Sequence, residues 1–263
     1  MIDSYINKII FVDKPFLQKL KYLSEIDYQQ FMSPNIDTQI ITLPMSPDET
    51  KQLVSYIDLS DIRPGNVLLK QSYTGSFITI DKFSEDIVFQ KFGLFVQLSI
   101  ALGAKEVTVD SVEDVKLDSD DSKRFKADIS GENLAGKAQA NVSSNKSSSV
   151  SDIKKSIMKM GTKAQGSEPD FEEADRIMSQ YGLEKDSLFS DVYNMRRNLK
   201  NTLETHNIEL DFSNDLKKAF DSSLSASISV MSRIYEGSAS FESVKSSMNN
   251  IKSATKLNIT VTF

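Results

Sequence analysis

The stretch Leu224-Ser225-Ala226-Ser227-Ile228-Ser229-Val230 puts an apolar residue at every second position and a serine at each position between. Alternation with period two is the mark of a strand that has one buried and one wet face. It predicts a strand at Leu224–Val230. The same pattern recurs at Leu257, Ile259, Val261 and Phe263, and, with smaller residues, at Gly136, Ala138, Ala140 and Val142. Val107, Val109, Val115 and Leu117 share one parity, and Phe125, Ala127 and Ile129 continue as a further strand after a polar turn at Asp118–Lys123. Ile208–Phe212 and Ser238–Phe241 read as strands as well.

The first hundred residues carry helical signals with short strands between them. Pro15 precedes Phe16, Leu17, Leu20, Leu23 and Ile26, which recur at helical spacing. Ser46-Pro47-Asp48-Glu49 combines a capping hydroxyl, proline in the first turn and two acids at the positive end of a helix dipole; Leu53, Val54 and Ile57 form its stripe. Gln39–Leu43, Val67–Lys70 and Ser76–Ile80 read as strands, with a turn at Arg63-Pro64-Gly65-Asn66. Ser84 is the expected cap of a long helix with Ile87, Val88, Phe92, Phe95, Val96 and Ile100, ending at Gly103. Two more helices follow. One opens at Ser167–Asp170, with Phe171, Ala174, Ile177 and Met178 inward and Gly182 at its end. The other runs over 187–203 on Leu188, Val192, Met195 and Leu199.

Residues that carry chemistry are few. The chain has one histidine, no cysteine and no tryptophan, whereas acid–base and nucleophilic catalysis lean on histidine, cysteine or clustered carboxylates. His206, in Glu204-Thr205-His206-Asn207, has no orienting partner or nucleophile nearby in sequence and reads as a surface turn residue. Asp118-Ser119-Asp120-Asp121 lacks the glycine and distal glutamate of a calcium loop and reads as a hairpin turn. Glu172, Glu173 and Asp175 fall where carboxylates favour a helix start. Leu102-Gly103-Ala104-Lys105 runs from helix to strand, the reverse of a phosphate loop. No catalytic residue, metal ligand or cofactor is therefore assigned. Arg196 and Arg197 are adjacent guanidinium groups able to hold a carboxylate or phosphate, or simply to form the polar face of their helix.

A net charge of −6 argues against a nucleic-acid partner, whose footprint is basic. Charge is nevertheless uneven. Glu106–Asp121 is acidic around a single lysine, Lys116, whereas Lys137, Lys146, Lys154, Lys155, Lys159 and Lys163 make the following stretch basic. The most apolar run, about 92–102, is interrupted by Gly93, Gln97 and Ser99 and falls short of the ~20 residues of a membrane helix. Met1-Ile2-Asp3-Ser4-Tyr5 lacks the basic start of a secretory signal, so the default location is the cytoplasm.

These patterns predict an α+β fold: a helix-rich N-terminal portion packed on a mainly antiparallel sheet drawn from segments 104–143 and 208–263. At 263 residues it would be one domain with a flexible Ser/Lys-rich insert at 143–168, or two with a boundary near Gly103. The expected function is a non-enzymatic protein-binding or assembly module. Ile153, Lys154, Ile157, Lys159 and Met160 form its amphipathic contact segment, with another protein or a second copy as partner. The alternative is a membrane-active protein whose two hairpin regions reorganise into a β-lined pore, the basic segment meeting anionic lipid first. A metal-dependent hydrolase working through carboxylates is a third possibility that no motif supports.

Overall fold

The computed structural model describes residues 2–116, 159, 161–198, 203–235, 237–250 and 253–263. The fold is α+β, as the sequence predicts, with two four-stranded sheets among the described residues. The chain divides into two compact units. Met1–Ser84 and Ser213–Ala254 belong to the first; Glu85–Val115, the described residues of Lys137–Phe212, and Thr255–Phe263 belong to the second. No helix among the described residues is long and apolar enough to cross a membrane.

The first unit starts with β1 (Lys8–Asp13), α1 (Lys14–Leu23), α2 (Glu25–Met32) and β2 (Thr38–Leu43). These strands pair in parallel, Lys8 against Thr38 through Asp13 against Leu43. Then come α3 (Pro47–Leu53), β3 (Val67–Lys70) and β4 (Phe77–Thr79), giving the sheet order β2-β1-β3-β4 with the last two pairings antiparallel. Ile9, Ile10, Phe11 and Val12 are all fully buried. An unbroken apolar run of this kind belongs to a strand covered on both faces. Ile9 and Phe11 join Ile41, Leu53, Ile57, Leu68 and Phe77 in one cluster. Ser46 caps α3 as the sequence announces, and Glu49 completes a capping box with it; hydrogen bonds to Ser46 hold the Glu49 carboxyl below the usual carboxylate range.

α4 (Ile80–Ala101) begins four residues before the expected cap at Ser84 and stops at Gly103, whose φ is +90°. A Cβ there would meet the Ser167 carbonyl oxygen at 2.4 Å, so glycine is required by space as well as by conformation. The second unit continues with β5 (Glu106–Lys116), β6 (Thr162–Lys163), α5 (Phe171–Tyr181), α6 (Ser187–Arg197), β7 (Thr205–Asp211) and, at the end of the chain, β8 (Ser253–Thr262). The sheet order is β6-β5-β8-β7. Middle and C-terminal segments thus share one sheet, as expected. Gly161–Gly166, which looks like a linker, instead carries β6, and Ala164 N–H donates to the Lys105 carbonyl at 2.7 Å.

Three expectations fail. The alternating run that announces a strand lies inside a helix, α8 (Ser222–Tyr235), which follows α7 (Ser213–Ala219). Ser238–Phe241 opens a further helix, α9 (Ala239–Asn250). Segment 208–263 is therefore three helices between two strands and not hairpin material. Within seven residues, positions 224 and 228 satisfy both a period of two and a helical i, i+4 spacing. What decides is the continuation to Met231 and Tyr235. Leu224, Ile228 and Met231 are fully buried while Ala226 is exposed. Asp221 caps the helix, accepting from Leu224 N–H at 2.9 Å, and Ser225 returns its hydroxyl to the Asp221 carbonyl at 3.1 Å. Third, α6 ends at Arg197; Val192 is buried as expected, but Phe189, Tyr193 and Arg196 share the inward side, Met195 is exposed, and Leu199 lies outside the described residues. The remaining sequence readings over 117–158, including the strands at 125–129 and 136–142, lie outside the described residues.

Candidate functional site

Because β1 and β2 are parallel and in register, their carboxyl ends, Asp13 and Leu43, lie side by side. Crevices outside such ends are where open α/β sheets bind ligands. A groove of about 660 Å³ opens there, lined by Asp13, Lys14, Pro15, Leu43–Met45, Thr50, Leu59, Ile62 and Pro64. Its volume lies within the roughly 300–1,000 Å³ of ligand pockets. Leu43, Met45 and Ile62 pack on the apolar cluster beneath. Leu59, on a short 3-10 turn (Leu59–Asp61), remains 56% exposed. Three prolines restrict backbone torsions around the groove, which reduces the ordering needed on binding.

One wall is fixed by hydrogen bonds. Asp13 caps α1 by accepting from Phe16 N–H at 2.9 Å, and the same oxygen accepts from the Tyr235 hydroxyl at 3.0 Å. Asp13 N–H donates back to that hydroxyl at 3.0 Å. Burial pushes the Tyr235 phenol well above its usual value. Tyr235 also stacks on Phe16, 4.8 Å between ring centres. Asp13 is thus committed to positioning α1, and Lys14 is the exposed charge on the lining.

At the opposite end of β1, Lys8 is 1% exposed and reaches Asp37 at 2.7 Å and Asp221 at 2.6 Å. It borders a smaller polar cleft of about 320 Å³ with Asn7, Lys70, Gln71, Ser72 and Lys218. Asp221 accepts from Leu224 N–H with one oxygen and from Lys8 with the other, so the lysine also orients a helix cap. No group of three or more metal-ligating side chains occurs among the described residues.

The residues singled out from sequence fall elsewhere. Ile153, Lys154, Ile157 and Met160 lie outside the described residues; Lys159 is exposed in a turn. Arg196 is 7% exposed and turned inward, donating to the Leu102 and Leu203 carbonyls at 3.1 and 2.8 Å beneath the Phe263 ring. Arg197 donates to the Tyr193 hydroxyl, which itself donates to Asp175. Burial and that bond to Asp175 push the Tyr193 phenol up. The two arginines thus serve packing and a local network, and their donors do not converge. His206 lies within β7 and not in a turn; burial holds its imidazole below the usual value, opposed by Asp191.

Sequence reading missed the groove because its lining comes from four separate stretches of chain: the β1–α1 junction, Leu43–Met45, Thr50 of α3, and 59–64. The available signal was slight: Pro44 directly follows the predicted strand Gln39–Leu43, and Pro64 lies in the turn before the predicted strand Val67–Lys70. No family model matches the chain, and neither a curated protein nor a solved structure shows significant similarity to it.

Proposed function

We propose that this chain is a cytoplasmic binding or assembly protein that works through surface contacts, and that the groove at the carboxyl ends of β1 and β2 receives an apolar segment of a partner protein. The observation that carries this reading is the pairing of an open, largely apolar groove with an exposed leucine, Leu59, on its lining. Exposed apolar surface joined to a concavity is a common feature of interaction sites. Lys14 adds a single positive charge, which favours a partner segment with an acidic residue beside its apolar anchor.

The test uses short peptides carrying leucine or phenylalanine next to aspartate, and the same peptides with serine in place of the apolar anchor. The anchored peptides should bind, and Leu59→Asp should weaken them about tenfold or more while leaving the melting temperature near that of the parent, since Leu59 is more than half exposed. Equal binding of the serine peptides, or binding indifferent to Leu59→Asp, would contradict the reading.

A further inference from the structure

β7 is an edge strand. Its one partner among the described residues is β8, paired antiparallel from Thr205 against Thr262 to Asp211 against Lys256. Phe263 N–H donates to the Glu204 carbonyl at 2.8 Å, which fixes the phase of the ladder. In an antiparallel pair, alternate residues exchange both backbone bonds with the partner. Residues 204, 206, 208 and 210 therefore face β8. Thr205, Asn207 and Glu209 turn their N–H and C=O groups away from it, and all three residues are exposed.

The two faces beside this edge differ in character. On the wet face, Thr260 donates to Asp110 at 2.6 Å, and Asn258 donates to Ser111 at 2.7 Å and to Glu113 at 3.0 Å. Glu113, Glu209 and Asp211 there act on Lys256, which pairs with Glu209 at 2.7 Å and is held above its usual value chiefly by that contact. With Asp110 and the Glu106–Lys163 ion pair, carboxylates outnumber ammonium groups on this face among the described residues. On the other face, Leu210 is buried but Ile208 and His206 are only half-buried, as expected of an apolar layer that stops one strand short.

We propose that the free edge of β7 accepts an added strand from a partner protein, and that this strand alternates basic residues, laid over the acidic face, with apolar residues that complete the layer beside His206 and Ile208. Main-chain bonds to Thr205, Asn207 and Glu209 would supply affinity, and the carboxylates would select sign. This surface lies in the second unit, so the inference stands independently of the groove.

The probe is a peptide of about eight residues, typical of strand length, alternating lysine and valine, compared with one alternating glutamate and valine. Both are titrated into the full chain while amide hydrogen exchange is read residue by residue. The Asn207 and Glu209 amides should exchange readily in the free protein and slow with the lysine peptide alone. The His206, Ile208 and Leu210 amides should be protected throughout, and affinity should fall as salt rises. Asn207→Pro removes an outward N–H and spares the ladder to β8; it should weaken the lysine peptide about tenfold or more. Should that variant misfold, Glu113→Gln with Asp211→Asn neutralises two carboxylates and should lower lysine-peptide affinity severalfold. Protection of Asn207 and Glu209 without peptide, binding without new protection, equal binding of the glutamate peptide, or indifference to the neutralised face would each overturn the proposal.

Discussion

Two buried lysines do similar work in the two units. Lys8 holds Asp221, which caps α8, and Lys91 pairs at 2.8 Å with Asp186, which caps α6. In each case one carboxylate oxygen accepts from the helix and the other from the lysine, so the cation selects the cap's orientation as well as its charge. Lys8→Met removes the cation facing both Asp37 and Asp221. It should cost about 2–3 kcal/mol in denaturant unfolding, below the ~3–5 kcal/mol of a fully buried pair because both aspartates keep contact with water. A change under ~0.5 kcal/mol would mean the triad is not formed. His206 adds a pH dependence of definite sign. Burial lowers its folded pKa below the unfolded value, so the unfolded chain binds the proton more readily. Stability should therefore fall as pH drops through the ordinary histidine range, near 6.5, toward the lower folded value. Thermal melts of the parent and of His206→Gln between pH 7.5 and 5.5, a range of roughly one unit either side of that pKa, should show the variant losing less stability; parallel curves would contradict this.

At the scale of elements, α8 offers the sharpest check, because its sequence suits either a strand or a helix over seven residues. Leu224→Ala, Ile228→Ala and Met231→Ala each remove a fully buried side chain and should cost about 2–4 kcal/mol. Ala226→Ser, on the exposed side, should cost under ~1 kcal/mol. A strand would put Ala226 on the buried face with Leu224 and Ile228, and the profile from the scan would alternate. Much of the remaining architecture was legible. The helix cap at Ser46, the stops at Gly103 and Gly182 and the alternation of Leu257, Ile259, Val261 and Phe263 are local rules, and the structure obeys them. Serine-rich α8 defeated the same method because its hydroxyls bond to carbonyls of the preceding turn, which lets Ser225 be buried without looking apolar. α6 was misjudged for a related reason: Arg196 takes an inward position by donating to the Leu102 and Leu203 carbonyls, so a charged residue occupies part of the buried stripe.

For the whole molecule, the sequence conveyed class and little of the site. An α+β chain with one histidine and no cysteine directs attention from catalysis to surfaces. The groove itself depends on which strands are parallel neighbours, a long-range property that no local pattern contains. β1 and β2 are joined through α1 and α2; their pairing brings Pro15 and Pro44 together, and the pairing of β1 with β3 adds Pro64 to the same concavity. The measurement that tests the groove most directly follows the Met45 methyl resonance while the leucine-aspartate peptide is titrated into the full chain. Met45 lines the groove and packs on the cluster beneath it. Its signal should shift saturably with the peptide, stay still with the serine control, and lose its response in Leu59→Asp. A Met45 methyl that does not move while the peptide binds elsewhere would contradict the groove as the binding site.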